Sequence, residues 1–430
     1  MAARTSILGG VSTSTERPLT LLDADTPARL EHALDVLADL PEVGVDVERA
    51  DTDRYWRRAA LIQVGGEGRV ALVDPLAVAD LTPLVELLDE RVTVLHALDN
   101  DLEPLAAAGV RPPEVADTAI AAALLGLPTG LDALMAEVLD VEPAGNKEAM
   151  QRADWSQRPL SAAMRHYAAT DVADLPRLWR TLAERLVDAG RWAWYEEELA
   201  ATVAQPPAEE RRAWTRLRGL GRLDAASRQR ARALWHTREA IARETDTAPG
   251  RIVNDKTLIG LATDPPATRE QLVARGLRGR SVRSFGDALL AAVQRPDEAP
   301  IVASGDQPGP APERNGHAGS NGQGRREGSV AADSTREAAR GARRPDPEER
   351  ELADRLRALR AQRAEELGLD PGVLCPGHVL LPAVQARPST AEELHEALDL
   401  RERQWTLLAE AFSEAFGFAA SGKAARGGGS

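Results

Sequence analysis

The strongest constraint on the fold is an internal repeat. Sliding the chain along itself by 122 residues brings Arg238 onto Arg360, Ala242 onto Ala364 and Glu244 onto Glu366. The same frame brings Pro249-Gly250 onto Pro371-Gly372 and Leu258 onto Leu380. Pro266, Thr268, Glu270 and Leu272 then fall on Pro388, Thr390, Glu392 and Leu394, completing ten identities without a gap. Helix grammar alone could produce the last block, since Thr is a natural N-cap and Glu suits a first turn. Ten identities in one frame point instead to two copies of one small domain. Nothing in the first copy reads as strand. Residues 208–217, 227–245, 255–263, 268–275 and 282–294 have helical periodicity broken by Pro and Gly. Helical periodicity resumes at 347 and runs to about 418. Between the copies, residues 303–344 are rich in Gly, Ser, Pro, Ala and Arg without a hydrophobic period, which predicts a disordered linker.

The first half has a different texture. Strand-like runs at 19–22, 43–48, 59–64, 70–74 and 92–96 alternate with helix-like runs at 27–40, 82–88 and 101–108. Thr82 is expected to cap its helix, with Pro83 at the first helical position. From Asp117 onward the pattern is helical, through 118–127, 131–138 and one long helix over 160–189. Such an order predicts an α/β domain with a mixed sheet. The expected layout is a flexible N-terminus (1–17), the α/β domain (18–200), a first helical domain (208–296), a linker (300–345), a second helical domain (346–420) and a flexible tail (421–430).

Several classes are excluded. The single Cys375 rules out a disulfide framework and a thiolate-rich zinc site, and fits a reducing compartment. The longest near-apolar run, 119–127, is too short to cross a bilayer, and the N-terminus lacks the pattern of a secretory signal. A cytoplasmic protein without a membrane partner is expected. The net charge of −14 argues at first against a nucleic-acid partner. That total conceals a split of −17 over residues 1–200, +6 over 201–300 and −3 over 301–430.

Three groups of residues carry chemical potential. In Val43-Gly44-Val45-Asp46-Val47-Glu48 the valines share one strand face, and Asp46 and Glu48 share the other, about 7 Å apart. A divalent cation could take an oxygen from each, although a solvated strand face would show the same pattern. In His96-Ala97-Leu98-Asp99-Asn100-Asp101 a strand gives way to a helix, and Asp101 could simply cap it. Tyr167 and Asp171 stand four residues apart, hence on one helix face, which could also be merely solvated.

Taken together, the Asp-x-Glu strand, the Asp after His-Ala and the late Tyr-x-x-x-Asp helix resemble the DEDDy 3′–5′ exonuclease superfamily, in particular the ribonuclease D family. The resemblance spans roughly residues 18–190 and includes Ala60-Leu61-Ile62-Gln63, Ala116-Asp117-Thr118, Asp154-Trp155 and Arg158-Pro159-Leu160. The helical repeats are similar to HRDC domains. The fold implied is a ribonuclease H-like α/β exonuclease domain with a mixed sheet, followed by two all-α HRDC-type domains. The activity implied is hydrolysis of RNA from its 3′ end, releasing nucleoside 5′-monophosphates, with tRNA precursors or other structured RNA as substrate. A DNA exonuclease acting on single-stranded DNA, or a non-catalytic nucleic-acid-binding scaffold, are the alternatives. No Walker segment is present, so the chain is not a helicase.

The resemblance also implies roles. Asp46, Glu48 and Asp171 would hold one of two Mg²⁺ or Mn²⁺ ions, Asp46 would bridge to the second with Asp101 in support, and Tyr167 would orient the attacking water. Gln63, His96, Lys147, Arg152, Trp155 and Arg158 would lie near the 3′-terminal nucleotides. Arg218, Arg232 and Arg280, within the basic middle of the chain, are the candidates for phosphate contacts along the strand.

Overall fold

The computed structural model describes residues 19–50, 53–141, 149–150, 153–205, 214–302 and 345–418. Lys147 and Arg152, the N-terminal 1–17, most of the 300–345 linker and the 421–430 tail lie outside the described residues.

Six strands form one mixed sheet: β1 (Thr20–Ala24), β2 (Glu42–Arg49), β3 (Ala59–Gly66), β4 (Arg69–Val73), β5 (Val92–Leu95) and β6 (Val115–Asp117). Their order is β1-β4-β3-β2-β5-β6, with β2 and β3 at the centre. β2 pairs antiparallel to β3 and parallel to β5. The two-residue turn from β3 to β4 places Glu67 and Gly68 at positive φ, the conformation that suits a tight hairpin. Every residue of β3 is buried, as expected of a strand covered on both faces.

Helices α1 (Pro27–Leu37), α2 (Thr82–Asp89), α3 (Leu102–Ala107), α4 (Thr118–Leu125) and α5 (Leu131–Leu139) accompany the strands. Leu30, Leu34 and Leu37 of α1 share a core with Val43, Val45 and Val47, so the valine face of β2 is fully used in packing. Thr82 does not cap α2. The cap position is Leu81, and the Asp80 carboxylate accepts the Thr82 N–H instead, one residue earlier than expected.

The long helix expected over 160–189 is two helices, α6 (Ala162–Ala173) and α7 (Leu175–Asp188). Pro176 stands in the first turn of α7, where its missing N–H costs nothing, but it cannot continue α6. Helix α8 (Trp192–Val203) closes the domain and packs its aromatic residues against Trp179.

The first helical module comprises α9 (Ala225–Thr245), α10 (Pro249–Ile252), α11 (Asp255–Thr263), α12 (Arg269–Ala274) and α13 (Gly279–Gln294). Residues 214–216 form a short 3-10 turn where a longer helix was expected, and 206–213 lie outside the described residues. The α/β domain inserts Tyr55 into this module's core. Asp246, just past α9, accepts the backbone N–H groups of Tyr55 and Trp56 at 3.2 and 3.1 Å, and Arg243 donates to the Tyr55 hydroxyl at 2.8 Å.

The second module, described by itself, comprises α14 (Pro347–Leu367), α15 (Pro371–Leu374), α16 (Gly377–Gln385), α17 (Ala391–Leu398) and α18 (Glu402–Phe416). Helices α14, α15 and α16 begin and end 122 residues after α9, α10 and α11. Caps repeat too: Asp224 and Thr268 accept from the third residue of their helices, as do Asp346 and Thr390.

Candidate active site

The two faces of β2 are used differently. A Cβ at Gly44 would lie 2.6 Å from the Val172 carbonyl oxygen and 2.9 Å from the Leu175 Cβ, so only glycine lets the end of α6 come this close. That approach brings Asp171, next to Val172, against the face carrying Asp46 and Glu48. One oxygen from each of the three carboxylates falls within 4.8 Å of the others, and all three residues are half-buried. The solvated-face readings of β2 and of α6 are therefore not what the fold adopts.

The electrostatics follow from this crowding. Burial, reinforced by the charges of Asp46 and Asp171, pushes the Glu48 carboxyl up to about 9, with Arg49 offsetting part of the effect. Asp101 is 5% exposed, and burial together with the charge of Asp46 holds it well above the ordinary carboxyl range. Its side chain makes no capping bond to α3. Tyr167 is buried beside Asp171. Burial and the charges of Asp171, Glu48 and Asp46 hold its phenol above its usual value, so it remains a donor.

The loop carrying Asp101 is fixed by a residue outside the set of Asp46, Glu48, Asp101, Tyr167 and Asp171. Asp117, 1% exposed, accepts from the N–H groups of Ala97, Leu98, Ala119 and Ile120, and its own N–H donates to the Tyr195 hydroxyl at 2.7 Å. Those bonds hold Ala97 at a φ of 61°, turning the chain sharply between β5 and Asp101. An Asp just ahead of a helix-starting Thr was the available signal.

The expected nucleic-acid contacts are placed unevenly. His96, half-buried, shares a hydrogen bond with Thr118 at 2.9 Å. Trp155 is buried, donates to the Met150 carbonyl and lies against Tyr167 with ring centroids 6.3 Å apart. Arg158 is corrected to a clamp. Its guanidinium grips both oxygens of buried Asp74 and donates to the carbonyls of Trp155, Gln157 and Ala60, leaving it no free fork for phosphate. Gln63 lies beside the carboxylates. It pairs with Asp46 across the strands, is wholly buried, and neither amide atom has a partner. Arg218, Arg232 and Arg280 are exposed, with Arg232 over the Trp214 ring.

The donor set fits a hard divalent cation. All three convergent ligands are carboxylates, and a cation among them would relieve the mutual repulsion that adds to burial in pushing Glu48 up. The unpartnered amide of Gln63 beside Asp46 marks the same spot as electrostatically incomplete.

Comparison with known proteins fits this geometry. The 3′–5′ exonuclease family matches residues 23–187, and the HRDC domain family matches 227–293 and 349–415. Ribonuclease D of Zymomonas mobilis is 34% identical over 275 residues, 60% of this chain and 69% of its own length. The chain belongs to the ribonuclease D family. Ribonuclease D of Granulibacter bethesdensis is 35% identical over 300 residues, covering 63% of this chain and 72% of the relative. The crystal structure of Escherichia coli RNase D superimposes with a TM-score of 0.68 over 92% of this chain and 98% of that one. A Bifidobacterium adolescentis protein superimposes with a TM-score of 0.64 over 93% and 97%. At 22% and 24% identity, these two likenesses speak to the fold alone. The protein is a 3′–5′ exoribonuclease of a metal-dependent family, and it carries the acidic cluster Asp46, Glu48 and Asp171.

Proposed function

We propose that the protein trims the 3′ ends of structured RNA, with tRNA precursors as a substrate class, using two Mg²⁺ or Mn²⁺ ions. The convergence of Asp46, Glu48 and Asp171 beside Tyr167 carries this reading. Divalent ions held there supply an acidified water and relieve charge on the leaving 3′ oxygen. Asp46, Glu48 and Asp171 would hold them, and buried Asp101, close enough to feel the charge of Asp46, would support the second ion. Tyr167, kept protonated beside the carboxylates, positions the attacking water through its hydroxyl. Exposed Arg218, Arg232 and Arg280 carry the RNA backbone without reading its sequence.

The test is incubation of 5′-labelled RNA and DNA with Mg²⁺ or Mn²⁺, with and without EDTA. RNA shortened stepwise from the 3′ end, and only without EDTA, is the expected result. A ladder on DNA alone, or none, would contradict it. Replacing Tyr167 by Phe should slow cleavage about 10²-fold, the scale of a positioned proton-handling group. Unchanged turnover would reduce Tyr167 to packing.

A further inference from the structure

A cavity of about 590 Å³ opens where the loop after β2 meets the start of α13, within one compact unit. Arg54, Arg251, Arg278 and Arg280 line it, with Phe285 as its aromatic wall. Two of these arginines are already paired: Arg251 with Asp53, and Arg54 with Asp246 at 3.2 Å. Arg278 and Arg280 are exposed and form no ion pair among the described residues. They also stand at the N-terminus of the 16-residue α13, which no side chain caps, so the helix adds positive potential on the same side. The cavity therefore keeps uncompensated positive charge after its internal pairs are counted.

The second module shows what this cavity is not for. At the same places in the repeat it has Val373 for Arg251, Leu400 for Arg278, Glu402 for Arg280 and Leu407 for Phe285. Its helices form at the same spacing regardless. The helices form without Arg278 and Arg280, and neither is used in an ion pair among the described residues, so their presence in the first module calls for a ligand.

We infer that this cavity is a phosphate subsite for the RNA strand upstream of its 3′ end, with Phe285 against a base or sugar. The inference rests on the exoribonuclease reading and deepens it. The chain links the cavity to the chemistry, because five residues from Glu48 to Asp53 span at most about 18 Å. A strand held by its 3′ end at the carboxylates thus needs only a few nucleotides to reach Arg278 and Arg280. Phosphate contacts at such a site fix register without sequence preference.

Binding of labelled single-stranded RNA by the full chain, in EDTA so that no strand is shortened, tests the site independently of cleavage. Arg278→Ala with Arg280→Ala should weaken binding about tenfold. The slope of log affinity against log salt should flatten by about 1.4, two phosphate contacts on a single strand. Arg278→Lys with Arg280→Lys, which keeps both charges, should retain most of the slope. The same affinity and slope in wild type and the alanine pair, or no RNA binding by wild type, would overturn the inference. So would inorganic phosphate raising the melting temperature through these arginines while RNA affinity is indifferent to them, since the cavity would then serve a free anion. Failure to shorten RNA in Mg²⁺ would count against the activity and leave this binding readout standing.

Discussion

The two helical modules share a backbone plan and differ in charge. Residues 225–294 hold twelve basic and seven acidic side chains, whereas the matching residues 347–416 hold eight and fourteen. The reversal is local: Arg232, Arg243 and Arg280 of the first correspond to Asp354, Glu365 and Glu402 of the second. What the copies keep is the frame of caps and buried contacts. Arg238 donates to the Val253 carbonyl at 3.2 Å, and Arg360, its repeat partner, donates to the matching Cys375 carbonyl at 2.7 Å. Duplication preserved the scaffold while the surface diverged, so the module name alone does not assign a surface to RNA.

The largest expected effect probes the shared frame. Arg238 is 5% exposed and also pairs with Glu239, itself 1% exposed, and with Asp255. Arg238→Ala strands a buried carboxylate and should cost about 3–5 kcal/mol of stability. Arg360→Ala should cost only about 1 kcal/mol, the net worth of one hydrogen bond. Urea denaturation of both variants checks this, and equal losses would mean that the two arginines do the same structural work.

A smaller effect probes the surface. Giving the first module the second's residues, through Arg232→Asp, Arg278→Leu and Arg280→Glu, should weaken RNA binding about a hundredfold at low salt. That corresponds to about 1 kcal/mol for each lost phosphate contact. A loss below threefold would erase the contrast between the modules.

The smallest effect separates the catalytic face from both modules. Carboxyls such as Asp264, Asp287 and Glu366, beside arginines in the modules, are held below their usual range, whereas Glu48 is pushed up to about 9. A carboxyl raised on folding binds its proton more tightly in the native state, so stability falls as pH rises from about 4.5 toward 9. Metal-free protein should therefore lose a few degrees of melting temperature over that window. Glu48→Gln should flatten the trend, and saturating Mg²⁺ should oppose it by holding Glu48 ionised. A wild-type trend unchanged by Glu48→Gln would place the titration elsewhere.

Much of this architecture is legible in the sequence because it is periodic. The period-two run of β2 separates Val43, Val45 and Val47 from Asp46 and Glu48, and the repeat frame anticipates Thr268 and Thr390 as caps. What escapes is set by contacts between distant residues. Alternation cannot show that Gly44 admits the Val172 carbonyl, nor that Tyr55 leaves its own domain to fill the core of another. Arg158 looks like any solvent-facing basic residue until Asp74, 84 positions away, is seen to hold it. The break between α6 and α7 was readable at Pro176, but uninterrupted periodicity on both sides masked it.

The central claim is that the carboxylate face cuts RNA while the first module holds it. Asp46→Asn tests it most directly, with cleavage of 5′-labelled RNA in Mg²⁺ and RNA affinity in EDTA measured on the same preparation. Removing a ligand from the cluster should lower turnover about 10³-fold or more, a loss of several kcal/mol of transition-state stabilisation. RNA affinity should stay within about twofold, because the arginines at the start of α13 are untouched. Retained turnover, or affinity lost along with turnover, would contradict the division of labour.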